Sequence, residues 1–221
     1  MDIGVLGTGM VGKAIATRLV EVGHSVKMGS RTAENEDATG WAEQAGESAS
    51  HGAFADAAAF GETLFNCTGG KISIAALEAA GEENIGDKVL IDVSNPLDFS
   101  QGMPPFLAVA NTDSVGEQIQ RRFPQARVVK SLNTMNCAVM VHPELVPGSH
   151  NAFVSGDDEQ AKQTTAGLLQ QFGWPANAIL DLGDIKSARG AEALVLFWVF
   201  LRGALGDNQF NLGVVPPPTS A

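Results

Sequence analysis

The chain of 221 residues is long enough for one substantial domain, or one domain with an appendage, around a sizeable core. Its 44% hydrophobic and 18% charged residues are those of an ordinary globular protein, and a net charge of −11 argues against a nucleic-acid or anionic-membrane surface. Cys67 and Cys137 match neither a zinc nor a disulfide spacing, so no metal site is expected, and a reduced, cytoplasmic compartment is.

The chain opens on a core strand, with no sign of a signal peptide. That apolar run, Ile3 to Leu6, feeds into Gly7-Thr8-Gly9-Met10-Val11-Gly12, and Val11, Ala14, Ile15, Leu19 and Val22 follow at helical spacing. Strand, glycine turn and helix are the context in which Gly-x-Gly-x-x-Gly marks a dinucleotide site. Gly7 permits the tight turn, Gly9 lets the backbone approach a pyrophosphate, and Gly12 lets helix and strand pack closely. The amides that open the helix, at the positive end of its dipole, would hold the phosphates.

Ser25 to Gly29 reads as the second strand, closed by Ser30-Arg31-Thr32. An NAD site places an acid near this point for the ribose 2′-hydroxyl, yet none occurs between Glu21 and Glu34. An arginine between two hydroxyl residues suits a 2′-phosphate instead, so NADP(H) is expected; the alternative is a solvated arginine in a turn.

The Ala-, Glu- and Ser-rich stretch that follows reads as a helix over Trp41 to Ala45 and a loop with Gly46 and Gly52. A helix over Phe54 to Phe60 and a strand over Thr63 to Cys67 come next, ending in Thr68-Gly69-Gly70-Lys71. Strand carboxyl ends carry the ligand in an open α/β sheet, so this loop should face the nucleotide. Lys71 either adds charge near a phosphate or is solvated. A short helix, Ile72 to Ala80, precedes the strand Lys88 to Val93 and then Ser94-Asn95-Pro96. Pro96 holds Asn95 extended, which would set its amide near a nicotinamide carboxamide or ribose; an ordinary Asn-Pro turn is the alternative.

Gln101 to Thr112 reads as a covering loop, Ser114 to Phe123 as a helix, and Arg127 to Leu132 as a strand ending in Asn133-Thr134-Met135-Asn136. Two amides, a hydroxyl and a thioether can position a substrate without a strong acid or base. After a strand over Asn151 to Ser155, Gly156-Asp157-Asp158 reads as a helix start rather than a metal site. That helix stops at Gly173, a strand spans Ala178 to Leu182, and Asp184 caps a helix from Ile185 to Leu205. Its apolar half is short and interrupted by Arg202, a buried helix rather than a membrane span. An extended piece over Asn211 to Val215 leads to Pro216-Pro217-Pro218. The expected fold is α/β, a Rossmann-type doubly wound, mostly parallel sheet over residues 1–183, with a helix and tail over 184–221 that form no independent domain.

With both nucleotide signals in place, the chain resembles the NADP oxidoreductases dependent on coenzyme F420, a deazaflavin. The resemblance rests on Gly7 to Gly12, Gly29-Ser30-Arg31, Val129-Lys130-Ser131-Leu132-Asn133-Thr134, Val154-Ser155-Gly156-Asp157-Asp158 and Ser187-Ala188-Arg189. It implies hydride exchange between NADPH and a deazaflavin stacked on the nicotinamide, in a cytosolic homodimer whose C-terminal helices close the site. Asn133-Thr134-Met135-Asn136 would line the acceptor pocket, in the form seen in bacterial members; archaeal members have His-Thr-Ile-Pro.

No triad, metal cluster or acid–base pair stands out, as expected where the cofactors carry the chemistry. A reductase of small carbonyls or imines shares the fold opening, but the related hydroxyacid dehydrogenases need a helix lysine followed one turn later by Asn, and Lys186 is followed by Gly190. Arg189 and Glu192 read as a surface pair, and His24, His51, His142 and His150 as solvated. A cytosolic NADPH-binding sensor without catalysis would show the same absence of a dyad.

Overall fold

The structure, a computed structural model, describes residues 1–215. The first half contains β1 (Asp2–Leu6), α1 (Met10–Glu21), β2 (Ser25–Ser30), α2 (Glu36–Ala45), β3 (Ala49–Ala53), α3 (Phe54–Phe60) and β4 (Thr63–Asn66). It continues through α4 (Ser73–Ala80), α5 (Glu82–Ile85), β5 (Val89–Asp92) and a small hairpin of β6 (Leu97–Asp98) and β7 (Phe106–Leu107). Then come α6 (Val115–Arg122), β8 (Arg127–Ser131), α7 (Cys137–Val141), β9 (Ala152–Ser155), α8 (Glu159–Phe172), β10 (Ile179–Asp181) and α9 (Ala188–Leu205). The expected proline tail, with Pro216 to Pro218 and the end of the 184–221 segment, lies outside the described residues.

The main sheet has eight strands in the order β10-β9-β8-β5-β4-β1-β2-β3. Every neighbouring pair is parallel except β8 with β9. The central strands are buried on both faces, which is why β1 reads as a continuous apolar run from Ile3 to Leu6. One face packs Ile15, Leu19, Trp41, Val139, Leu168 and Phe172, the other Ala57, Leu77, Ile119, Phe123 and Ala188, as a doubly wound sheet requires. Helix ends follow local chemistry. Asp158 accepts from the Ala161 amide at 2.6 Å to open α8, and Gly173, at φ 109°, closes it in the left-handed conformation.

Four expectations are corrected. The loop expected around Gly46 and Gly52 is in part β3, an edge strand whose half-buried Ala-Ser-His-Gly-Ala carries no apolar alternation; pairing with β2 creates it. Helix α2 begins earlier than Trp41, because Asn35 caps it by accepting from Ala38. The covering loop over Gln101 to Thr112 contributes β7, paired with β6. His24, expected to be solvated, is buried with its Nε2 2.7 Å from Gln171 Oε1. Among the described residues no helix is long and apolar enough to cross a membrane.

Candidate functional site

The sheet order reverses beside β1, with β2 and β3 winding one way and β4, β5 and β8 the other. Connections leave in opposite directions there, so the carboxyl ends of the strands part and a crevice opens. A cleft of about 630 Å³ occupies it, lined by Gly7, Thr8 and Gly9 after β1, Ser30 and Arg31 after β2, and Thr68 and Gly69 after β4. Its glycines differ in what they meet. Gly7 has φ 122°, and a Cβ on Gly12 would lie 2.0 Å from the Gly7 oxygen, whereas a Cβ on Gly9 would meet no protein atom within 4 Å. The space over Gly9 is thus kept open towards the cleft. The first helical bond of α1 is Lys13 N–H to the Gly9 oxygen, which leaves the amides of Met10, Val11 and Gly12 without an intrahelical acceptor at that mouth. The donor set fits a pyrophosphate.

Arg31 is exposed on the rim, while the buried Ser30 hydroxyl donates to the Thr32 carbonyl and so shapes the turn. Thr32 itself is exposed and outside the lining. The opposite wall is one that sequence reasoning missed. Ile72, Ala75 and Ala79, at helical spacing, lie exposed along the cleft, which Phe54 and Asn35 also line. Their pattern resembles any helix core stripe; the small side chains facing solvent are the signal that could have marked it. Cys67 also lines the cleft, and burial together with the Asp92 carboxylate pushes its thiol well above the usual range, so it stays protonated. Lys71 points away from phosphate duty: it pairs with Asp98 at 3.0 Å. The Ser100 backbone amide, then Lys71, hold the Asp98 carboxyl down to about 2.

Asn95, Pro96 and Asn133 to Asn136 gather at a second place, the ends of β5 and β8, and not in the lining of this cleft. Leu132 adopts φ 61°, a left-handed conformation uncommon outside glycine, and turns the chain abruptly into Asn133. Asn95 and Asn133 then clasp each other. Asn95 Nδ2 donates to the Asn133 carbonyl at 2.7 Å, and Asn133 Nδ2 donates to Asn95 Oδ1 at 2.9 Å and to the Ala191 carbonyl at 3.0 Å. Backbone carbonyls only accept, so both amide orientations follow from chemistry. Asn133 Oδ1, Thr134 Oγ1 and Ser94 Oγ are buried without a partner among the described residues, an unusual concentration that fits a ligand supplying donors. Asn136 caps α7 through the Ala138 amide at 2.9 Å, and Met135 is buried in the core. Gly70 is needed for another reason: a Cβ there would lie 2.3 Å from the Asn95 oxygen.

Beneath this turn lies a charged cluster that the sequence did not reveal. Lys130, 1% exposed, has its Nζ 2.5 Å from Asp92 Oδ2, 2.7 Å from Glu192 Oε1 and 2.8 Å from the Ser94 carbonyl. Burial works against its charge, but Asp92 and Glu192 outweigh it and raise its pKa. The Arg189–Glu192 surface pair is therefore corrected. Glu192 is buried and accepts from the Val115 and Gly116 amides, while Arg189 forks onto Glu117 at 2.8 and 2.6 Å. Both therefore bond to the first turn of α6, and Glu192 alone also reaches β8, through Lys130.

Among the described residues, no group of three or more His, Cys, Asp or Glu is placed to hold a metal. Residues 2–96 match the family model described as NADP oxidoreductase, coenzyme F420-dependent. Rat metalloreductase STEAP3 is 28% identical over 197 residues, and human metalloreductase STEAP2 26% over 204. These cover 88% and 89% of this chain, which spans about a third (36%) of the length of each of these curated relatives. An imine reductase from Aspergillus terreus, solved in complex with NADPH4, has a TM-score of 0.62 at 21% identity, covering 93% of this chain and 61% of that one, and shares the fold. A candidate F420-dependent NADP reductase from Arthrobacter sp. FB24 superposes with a TM-score of 0.91 at 49% identity, covering 97% of this chain and 99% of that one. Likeness of that degree along the whole length of both chains leaves no room for a shared opening alone, and this chain belongs to the coenzyme F420-dependent NADP oxidoreductase family.

Proposed function

We propose that the chain binds NADP(H) in the cleft and exchanges hydride between it and a deazaflavin, coenzyme F420, or a flavin-like acceptor. One observation carries this: the open glycine turn and the rim guanidinium of Arg31 share one cleft, in a protein whose net charge otherwise repels anions. The helix-opening amides of α1 hold the pyrophosphate, and Arg31 takes the 2′-phosphate bidentately. Ile72, Ala75 and Ala79 give the adenine a flat apolar wall. From the switch point the nicotinamide end runs across Thr68 and Gly69 towards Asn95 and Asn133, where Asn133 Oδ1 awaits a donor. Bound there, the nicotinamide supplies the hydride, so the protein's part is alignment and exclusion of water rather than acid–base chemistry. The acceptor ring lies over Asn133 and Thr134.

The protein acts as a homodimer in the cytoplasm. Supporting the dimer, Phe197, Phe200 and Leu205 of α9 are exposed together; the two free cysteines suit a reducing compartment. Stopped-flow mixing of NADPH-loaded protein with a deazaflavin tests the acceptor: NADPH should be oxidised in a single turnover. Tight NADPH binding with no oxidation by deazaflavin or flavin would leave a nucleotide sensor in its place.

A further inference from the structure

The Ser94-Asn95-Pro96 turn is held from below by a buried ammonium. Lys130 Nζ faces three elements: it forms ion pairs with Asp92 at the end of β5 and Glu192 on α9, and it donates a hydrogen bond to the Ser94 carbonyl in the turn itself. Two carboxylates face one ammonium, so the cluster carries a net negative charge inside the protein. Such an arrangement is a poor device for stability, since well-packed apolar residues commonly do as well or better. Each carboxylate also has other donors. Asp92 Oδ1 accepts from Asn66 Nδ2 at 2.8 Å and from the Ser94 amide at 3.1 Å, and Glu192 accepts from two amides at the start of α6. Among the described residues, no other side chain supplies the bond to the Ser94 carbonyl. The turn is also bonded by the Gly70 amide, which donates to the Asn95 carbonyl at 3.1 Å, and by Asn95 with Asn133, which in turn reaches the Ala191 carbonyl on α9. Two parallel links therefore join this turn to neighbouring residues of one helix, and the one through Lys130 is rigid.

We propose that Lys130 is a positioning residue for the nicotinamide end of the cofactor: it fixes the Ser94 carbonyl, and with it the Asn95 turn against which the carboxamide lies. This rests on the cofactor placement given above. Arg31 and the α1 amides, after β2 and β1, make no bond to this turn among the described residues, so a displaced turn should spare the phosphate-binding end of the cleft. Loss of Lys130 should consequently separate two quantities that a general loss of structure would lower together.

The double variant Lys130→Met with Asp92→Asn keeps the cluster at its original net charge. Expected for it are a cooperative thermal transition, unchanged affinity for 2′,5′-ADP, an altered emission of bound NADPH, and hydride transfer slowed about tenfold to a hundredfold. Lys130→Arg restores the charge but moves the donors away from the Ser94 carbonyl, so it should stay slow. Wild-type emission and rate in the double variant, parallel loss of 2′,5′-ADP and NADPH affinity, full rescue by Arg, or failure of both variants to fold would each overturn the assignment. If wild-type protein binds NADPH but reduces no acceptor, the proposed reaction fails, while emission and 2′,5′-ADP affinity still score Lys130.

Discussion

Arg31 stands exposed at the rim of the cleft, so under the proposed function it contributes one charge-assisted contact rather than packing. Arg31→Ala should weaken NADPH binding by about 1.5–3 kcal/mol and leave NADH nearly unchanged in fluorescence titrations. Equal losses for both would remove the 2′-phosphate from Arg31. Its place at the cleft was legible because the signal is local: the end of the second strand, with no acid from Val22 to Ala33. Lys130 and Glu192 were not. They lie 62 positions apart, and nothing in either neighbourhood says that a lysine at a strand end and a glutamate in an apolar helix will meet at 2.7 Å. Residue type biases both towards the surface, and only the closing of α9 over β8 reverses that bias.

The strand–turn–helix unit of β1 and α1 separates two glycines by cause. Gly12→Ala puts a methyl against the Gly7 backbone oxygen, so it should cost about 1–3 kcal/mol of stability, read as a lower thermal midpoint without ligand. Gly9→Ala meets no protein atom and should leave that midpoint unchanged while sharply lowering NADPH affinity. A stability loss at Gly9 equal to that at Gly12 would show the turn to be built for folding alone. Elements with strong periodicity or caps, such as α1 and α8, were readable in advance. β3 and α7 were not, since β3 owes its conformation to the neighbouring strand, and α7 is five residues long and begun by a single Asn136 cap. Asn136 also shows how one side chain can match two chemistries: the amide read as lining an acceptor pocket is engaged in capping a helix.

At the scale of the whole molecule, α9 packs its Ala188, Ala191, Glu192 and Val195 against the body and presents Phe197 and Phe200 outward. Phe200→Asp should convert a dimer to a folded monomer in sedimentation velocity, with NADPH binding retained; wild-type protein already monomeric would remove the dimer. The amino-acid sequence by itself determined the glycine turn between β1 and α1, the NADP oxidoreductase resemblance and the α/β class, because each depends on a few neighbouring residues whose backbone freedom or spacing is intrinsic. Only the tertiary structure decided where the strand ends come together. It separated the residues after β5 and β8 from the cleft at the glycine turn, laid Ile72 and its alanines along that cleft, and buried Lys130 under the Asn95 turn. Those outcomes depend on sheet order and helix packing, which join residues far apart in the chain through long-range burial and not through any local preference.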